Sequence, residues 1–218
     1  MLAELDWGRR EYADSLQEMR RLRSLRVDGV IPDTLILVEH PPVYTIGVQG
    51  ADGDVFPPGV PVVQVERGGK ATYHGPGQLV GYLLIDLRPR GHDVRRFVHE
   101  VEELVVRACR TVGLPSERVP GRRGVWVDGK RKVASVGVAI ERWVSFHGFA
   151  LNVSTDLASF GEIHPCGFDP DVMTSVEREL GRPVALEELK APVVDAFRGV
   201  FATPAPTEAR ASGLAAPA

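Results

Sequence analysis

Apolar residues recur along this chain in short bursts, and the spacing inside each burst indicates the element it forms. From Trp7 to Val27, the residues Tyr12, Leu16, Met19 and Leu22 fall three or four apart with charges between them, which predicts an amphipathic helix. Residues 34–39, Thr-Leu-Ile-Leu-Val-Glu, predict a strand that Pro41-Pro42 ends, because proline cannot donate to a ladder. Further strands are predicted over Val43–Gly47, Val62–Glu66 and Leu79–Asp86, the last apolar enough to be central. The Gly-, Asp- and Pro-rich stretch Gly50–Gly59 reads as a loop.

The plainest helix runs from Asp93 to Val112. Phe97, Val101, Leu104, Val105, Ala108 and Val112 form its stripe, Asp93 is its expected N-cap, and Gly113-Leu-Pro115 stops it. Val125–Val127 and Lys132–Ile140 flank an Asp128-Gly129 turn and predict a hairpin. Trp143–Val153 predicts a long strand. Asp156–Ile163 and Met173–Leu180 read as short helical pieces, and Leu186–Phe201 as a final amphipathic helix. Strands outnumber helices and cluster in hairpins, so the expected class is α+β with a mixed, mostly antiparallel sheet flanked by helices. Neither a repeat nor a long linker divides the chain, so residues 1–203 are expected to form one domain. The Ala/Pro-rich tail, residues 204–218, is expected to be poorly ordered.

Composition narrows the class. The 218 residues are 44% hydrophobic, enough for a sizeable core, and the net charge of -3 offers no basic face for nucleic acid. No apolar h-region opens the sequence and no apolar run approaches a membrane span, so a cytoplasmic, reduced protein is expected. The two cysteines lie far apart in unlike contexts, which is not the pattern of a disulfide framework.

Three features carry candidate chemistry. Cys109 falls within the stripe of the Asp93 helix and reads as a small buried hydrophobe. Cys166 instead stands between Pro165 and Gly167, beside one residue without an N–H and another without a side chain, an arrangement that exposes the sulfur. A free thiol is only a few per cent ionised at neutral pH, and a nearby cation raises that fraction. Lys132, one of only four lysines, opens a strand and shares the parity of Ala134, Val136, Val138 and Ile140, so it is expected to point to the core face. The block Arg67-Gly-Gly-Lys-Ala-Thr-Tyr-His-Gly-Pro-Gly-Gln78 precedes a strand, not a helix, so it is no dinucleotide fingerprint, and it lacks a P-loop Gly-Lys-Ser/Thr. Its glycines are suited to letting backbone approach a ligand closely. His74, His147 and His164 with Cys166 match no standard ligand spacing, so no metal or other cofactor is expected.

Together these blocks resemble the lipoyl(octanoyl) transferase family, the octanoyl-carrier-protein:protein N-octanoyltransferases of lipoate biosynthesis. The matching segments are Glu39–Gly47, Arg67–Gln78, Gly124–Val127, Lys132–Gly137, His147–Asn152 and Pro165–Gly167. The resemblance implies a biotin/lipoate protein ligase-like catalytic domain. It implies Cys166 as the acyl-thioester nucleophile and Lys132 as the lysine that activates it. It implies substrate binding by three stretches: Arg67, Gly68, Gly69, Lys70, Ala71, Thr72, Tyr73 and His74; Ser135, Val136 and Gly137; Gly148, Phe149 and Ala150. The donor it implies is octanoyl-acyl carrier protein, and the acceptors are apo lipoyl domains of 2-oxoacid dehydrogenase complexes and the glycine cleavage H protein. Leu83 departs from the proline common in the family, a detail of strand packing. Both partners of such an enzyme are acidic, which makes Arg20-Arg21 and Arg95-Arg96 candidate contacts. The competing readings are an ATP-dependent lipoate ligase of the same fold, a non-catalytic carrier binder and a cysteine hydrolase. The Pro-Cys-Gly segment, and the lack of an Arg-Arg-x-x-Gly-Gly-Gly stretch, favour the transferase over the ligase.

Overall fold

The computed structural model describes residues 2–50, 54–161, 163 and 170–202. Its elements in chain order are β1 (Leu2–Arg9), α1 (Tyr12–Val27), β2 (Asp33–Glu39), β3 (Val43–Ile46), β4 (Val62–Gln64), β5 (Ala71–His74) and β6 (Gln78–Leu84). There follow α2 (Val94–Thr111), β7 (Glu117–Val119), β8 (Arg122–Val127), β9 (Arg131–Glu141), β10 (Val144–Asn152), α3 (Val176–Leu180) and α4 (Glu187–Phe201).

Seven strands form one sheet in the order β1-β2-β6-β10-β9-β8-β7, and a smaller sheet has the order β4-β3-β5. Among the described strands, β1–β2 and β3–β4 pair in parallel and the other strand pairs are antiparallel, so the sheet is mixed and mostly antiparallel, as expected. Every residue of β6 and of β10 is buried, because both faces of the large sheet are covered. On one face α2 and α4 pack Phe97, Leu104, Leu189 and Phe197 against Leu35, Leu79, Leu83, Val136 and Leu151. On the other, α1 sets Tyr12, Leu16 and Met19 against Ile36, Val80, Tyr82 and Ala150. Among the described residues no helix is long and apolar enough to cross a membrane.

The helix expected from Trp7 begins at Tyr12, because residues 2–9 extend as an edge strand beside β2. Gly8, at φ +59°, gives its N–H to Asp6 Oδ1 (2.8 Å), and the register with β2 shifts there, between Asp6 and Arg9, ahead of the helix. β5 and β7 were also hidden, being only four and three residues long without alternation of their own. The Asp93 N-cap is real: its side chain accepts the Arg96 N–H at 2.9 Å. The Asp128-Gly129 turn has φ +49° and +63°, the primed geometry expected of that pair. A second two-residue turn, Arg142-Trp143, adopts the same sign of φ (+49° and +65°) without any glycine, so β10 starts one residue after Trp143.

Candidate active site

The glycine-rich block is built into the fold by its own main chain. Gly68 N–H bonds Val138 O (2.9 Å), beyond the point where β8 leaves the edge of β9, while Val48 and Gln49 N–H bond Arg67 O and Gly69 O (3.1 and 3.2 Å). A Cβ on Gly47 would lie 2.3 Å from Gly69 O, so only glycine admits the block this closely to β3. The nearly buried Arg67 then latches it: Nη2 donates to both Thr45 O and Thr45 Oγ1 (2.8 Å each), and Nη1 to Lys70 O (2.9 Å) and Gly68 O (3.1 Å).

Behind this wall lies a small cavity of about 30 Å³. Arg67, Thr72, His74, Ser135, Val136, Gly137, Gly148, Phe149 and Ala150 line it, so parts of all three implied stretches converge on one space. Gly68, Gly69, Lys70, Ala71 and Tyr73 do not line it. The first three lie in the latched turn. Ala71 and Tyr73 have the opposite parity on β5 to Thr72 and His74, and Tyr73 packs against Tyr44 and Phe160 instead. Three further lining residues escaped sequence reasoning, Tyr12, Val80 and Tyr82, and a fourth, His147, was weighed there only as a metal ligand. Tyr12 and Tyr82 looked like helix stripe and strand core, which they also are.

Burial keeps the imidazoles and phenols around the cavity neutral. His40 Nδ1 lies 2.8 Å from Arg10 O, which can only accept, so Nε2 is the acceptor for Tyr82 O–H (2.8 Å). Burial holds His40 down to about 4. Burial likewise keeps His74 well below, and His147 below, the usual imidazole value, and pushes Tyr12 up to about 12. Glu66, held down to about 2 by His147 and by Arg20, carries a negative charge at the rim.

A relay of hydrogen bonds runs from this cavity to Lys132. Gln78 Nε2 donates to Tyr73 O (3.1 Å) and Asn152 Oδ1 (3.0 Å), which leaves Gln78 Oε1 to accept from His74 Nδ1 (2.7 Å). Asn152 Nδ2 donates to Thr174 O (3.0 Å), and Thr174 N–H to Lys132 O (3.0 Å).

Lys132 is fully buried, but not on the face its parity predicts. Val125 pairs with Ala134 while Trp126 pairs with Lys132, so β9 carries an extra residue at this point. The bulge turns Lys132 to the face of Trp126, opposite to Ala134, and so to the face on which Ser135 and Gly137 meet the cavity. Its Nζ lies 5.6 Å from the Trp126 ring centroid. Gly124, at φ +108°, makes the room: a Cβ there would come within 2.7 Å of Lys132 Cε and 2.5 Å of Ala134 O.

Cys166, with His164, Pro165 and Gly167, lies outside the described residues, as does the tail 204–218. The described residues on either side, Ile163 and Met173, join Tyr44, Tyr73 and Phe160 in one buried cluster, and Met173 bridges Lys132. Cys109 is sealed in the core, its thiol pushed up to about 12 by burial.

Residues 11–198 match the family described as the lipoyl protein ligase A/B catalytic domain. The octanoyltransferase of Geobacter metallireducens is 46% identical over 192 residues, 88% of this chain and 90% of that protein. Among solved structures, a putative lipoate protein ligase from T. acidophilum with bound lipoic acid superposes with a TM-score of 0.72 at 17% identity, covering 93% of this chain and 86% of its own. The apo biotin protein ligase from Aquifex aeolicus reaches 0.55 at 12% identity, covering 93% and 69%. The likeness to these two structures is one of fold.

Proposed function

From the chain's membership of the lipoyl protein ligase A/B catalytic domain family, as an octanoyltransferase and so an acyltransferase acting in protein lipoylation, we propose that residues 1–203 act as a single cytoplasmic catalytic domain with Cys166 as nucleophile and Lys132 as its partner. The donor is octanoyl-acyl carrier protein. Cys166 thiolate adds to the thioester carbonyl, the new Sγ–C bond forms, and the carrier's phosphopantetheine leaves as a thiolate that takes up a proton. The acceptor is the ε-amine of a lysine on an apo lipoyl domain, of a 2-oxoacid dehydrogenase complex or of the glycine cleavage H protein. Its nitrogen forms the amide bond, the Sγ–C bond breaks, and the amine's surplus proton leaves through Lys132 or a water beside it. Lys132 in its charged form stabilises the oxyanion of both steps.

One observation carries this reading: a fully buried lysine opens the strand to which Met173 and Thr174 bond, seven and eight residues after Cys166 in the sequence. The cavity supports it too, with neutral imidazoles and phenols around apolar walls. Each acyl CH₂ buried in such a space contributes ~0.8 kcal/mol, or about 5 kcal/mol for an octanoyl tail. Arg67 to His74, Ser135 to Gly137 and Gly148 to Ala150 are the substrate-binding stretches of this proposal.

Intact mass spectrometry after mixing with octanoyl-carrier protein tests it. One octanoyl group should appear on the chain, labile to hydroxylamine and absent in Cys166→Ala, and it should pass to a lipoyl domain without ATP. Transfer that survives Cys166→Ala, or that requires ATP, overturns the proposal.

A further inference from the structure

A second, larger depression opens where the exposed side of α2 faces the β7–β8 turn. It has a volume of about 1040 Å³, and its charged lining is dominated by arginine: Arg95 and Arg110 from α2, Arg118 from β7, Arg122 and Arg123 from β8, with no lysine among them. All five are exposed. Of the three carboxylates in the lining, Glu102 is buried and receives the Gly124 N–H (2.9 Å), and Glu103 is paired with Arg107 (2.9 Å). Only Glu117 is left to offset the arginines. Among the described residues, no carboxylate lies in ion-pair range of Arg95, Arg110, Arg118 or Arg123. The other arginines that the sequence offered as partner contacts are taken: Arg20 pairs with Glu66, Arg21 with Glu18 and Arg96 with Glu100.

The groove leads to the candidate active site at two points. Arg122 stacks over Trp126, 5.4 Å from the centroid of the same ring that Lys132 approaches at 5.6 Å. Arg123 reaches the glycine-rich block, its Nη1 3.5 Å from where a Cβ of Gly68 would stand.

We propose that this arginine groove seats the donor's carrier, an acidic protein whose acyl arm hangs from a phosphodiester. The inference rests on the acyl-transfer reading above. Guanidinium forks match carboxylates and phosphodiesters two bonds at a time, which suits both the carrier's acidic surface and the root of its arm. The lipoyl domain is acidic as well, but only the carrier adds a phosphodiester at the root of its reacting arm, whereas the acceptor's reacting group is an amine. The end of the groove at Arg122 and Arg123 then directs the arm toward Lys132 and the cavity.

The test is the triple variant Arg95→Glu/Arg110→Glu/Arg118→Glu, whose three sites are exposed and make no part of the catalytic or acyl-binding machinery, with its fold checked by circular dichroism. Transfer to a lipoyl domain is measured from octanoyl-carrier protein and from octanoyl-pantetheine, a thioester with neither protein nor phosphate. With the carrier donor, kcat/KM should fall by about tenfold or more through KM, and its decline with added salt should flatten. With octanoyl-pantetheine it should be unchanged. An unaltered KM for the carrier, an equal loss with both donors, or a rise confined to the KM for the lipoyl domain overturns the groove assignment while leaving acyl transfer standing. A wild-type protein that transfers from neither donor sinks both.

Discussion

Lys132 is the residue on which sequence and structure part most usefully. Its burial was legible: a lysine at the head of an apolar strand must go somewhere unusual. Its face was not, because parity counting assumes one partner per residue and a bulge leaves no mark in the sequence. Gly124 is the complementary position, and Gly124→Ala tests it. The new methyl forces a residue at φ +108° and meets both Ala134 O and the lysine stem. Denaturant titration should show a loss of about 2 kcal/mol or more, and transfer activity should fall by more than that stability loss explains. Lys132→Met keeps the volume and removes the charge. Transfer should drop by about a hundredfold or more, well beyond what any change in the urea midpoint explains.

His40 gives a pH dependence with a definite sign. Its folded value, about 4, lies below the ordinary 6.5, so between those pH values the unfolded chain holds more protons than the folded one. Stability from this group is therefore complete above pH 6.5 and is lost as pH falls toward 4, at about 1.4 kcal/mol per unit. Urea midpoints at pH 7 and pH 5 should differ more in wild type than in His40→Gln, whose amide retains an acceptor for Tyr82. Equal differences would remove His40 as the cause.

At the scale of elements, the relay His74–Gln78–Asn152–Thr174 joins β5, β6 and β10 to the segment that returns to β9. Asn152 is central to it and 1% exposed. Asn152→Leu, close in volume, leaves Gln78 Nε2 short of one acceptor and Thr174 O without its donor. A cost of about 1–3 kcal/mol is expected, and loosening at Thr174 should lower transfer as well; unchanged unfolding would show the relay to be incidental. The links from Gln78 through Asn152 to Thr174 were not readable beforehand, because these residues lie far apart in sequence and polar pairs leave no periodic signal. The long elements were readable for the opposite reason. The stripe of α2 and the Asp-Gly turn between β8 and β9 are local patterns that fix local geometry, whereas β5 and β7 exist only because neighbouring strands pair with them.

Across the whole molecule, the two hydrophobic clusters on opposite faces of one sheet make access to the core all-or-none. Cys109 reports on it. In Cys166→Ala, a thiol reagent at pH 8 should label Cys109 no faster than the chain unfolds, and the rate should rise with urea as unfolding does. Prompt labelling of native protein would contradict the sealed core. The architecture itself, an α+β sheet of mixed sense, followed from strand count and hairpin spacing, but the edge strand β1 did not, since its partner β2 lies some 30 residues away and the pairing is parallel.

The richest run of glycines in the chain is also pinned by four donations from one guanidinium. What composition would suggest is a pliant flap is therefore a strut. A small molecule shaped to that surface would meet a mould already set, and little of its binding strength would be spent on freezing the protein around it.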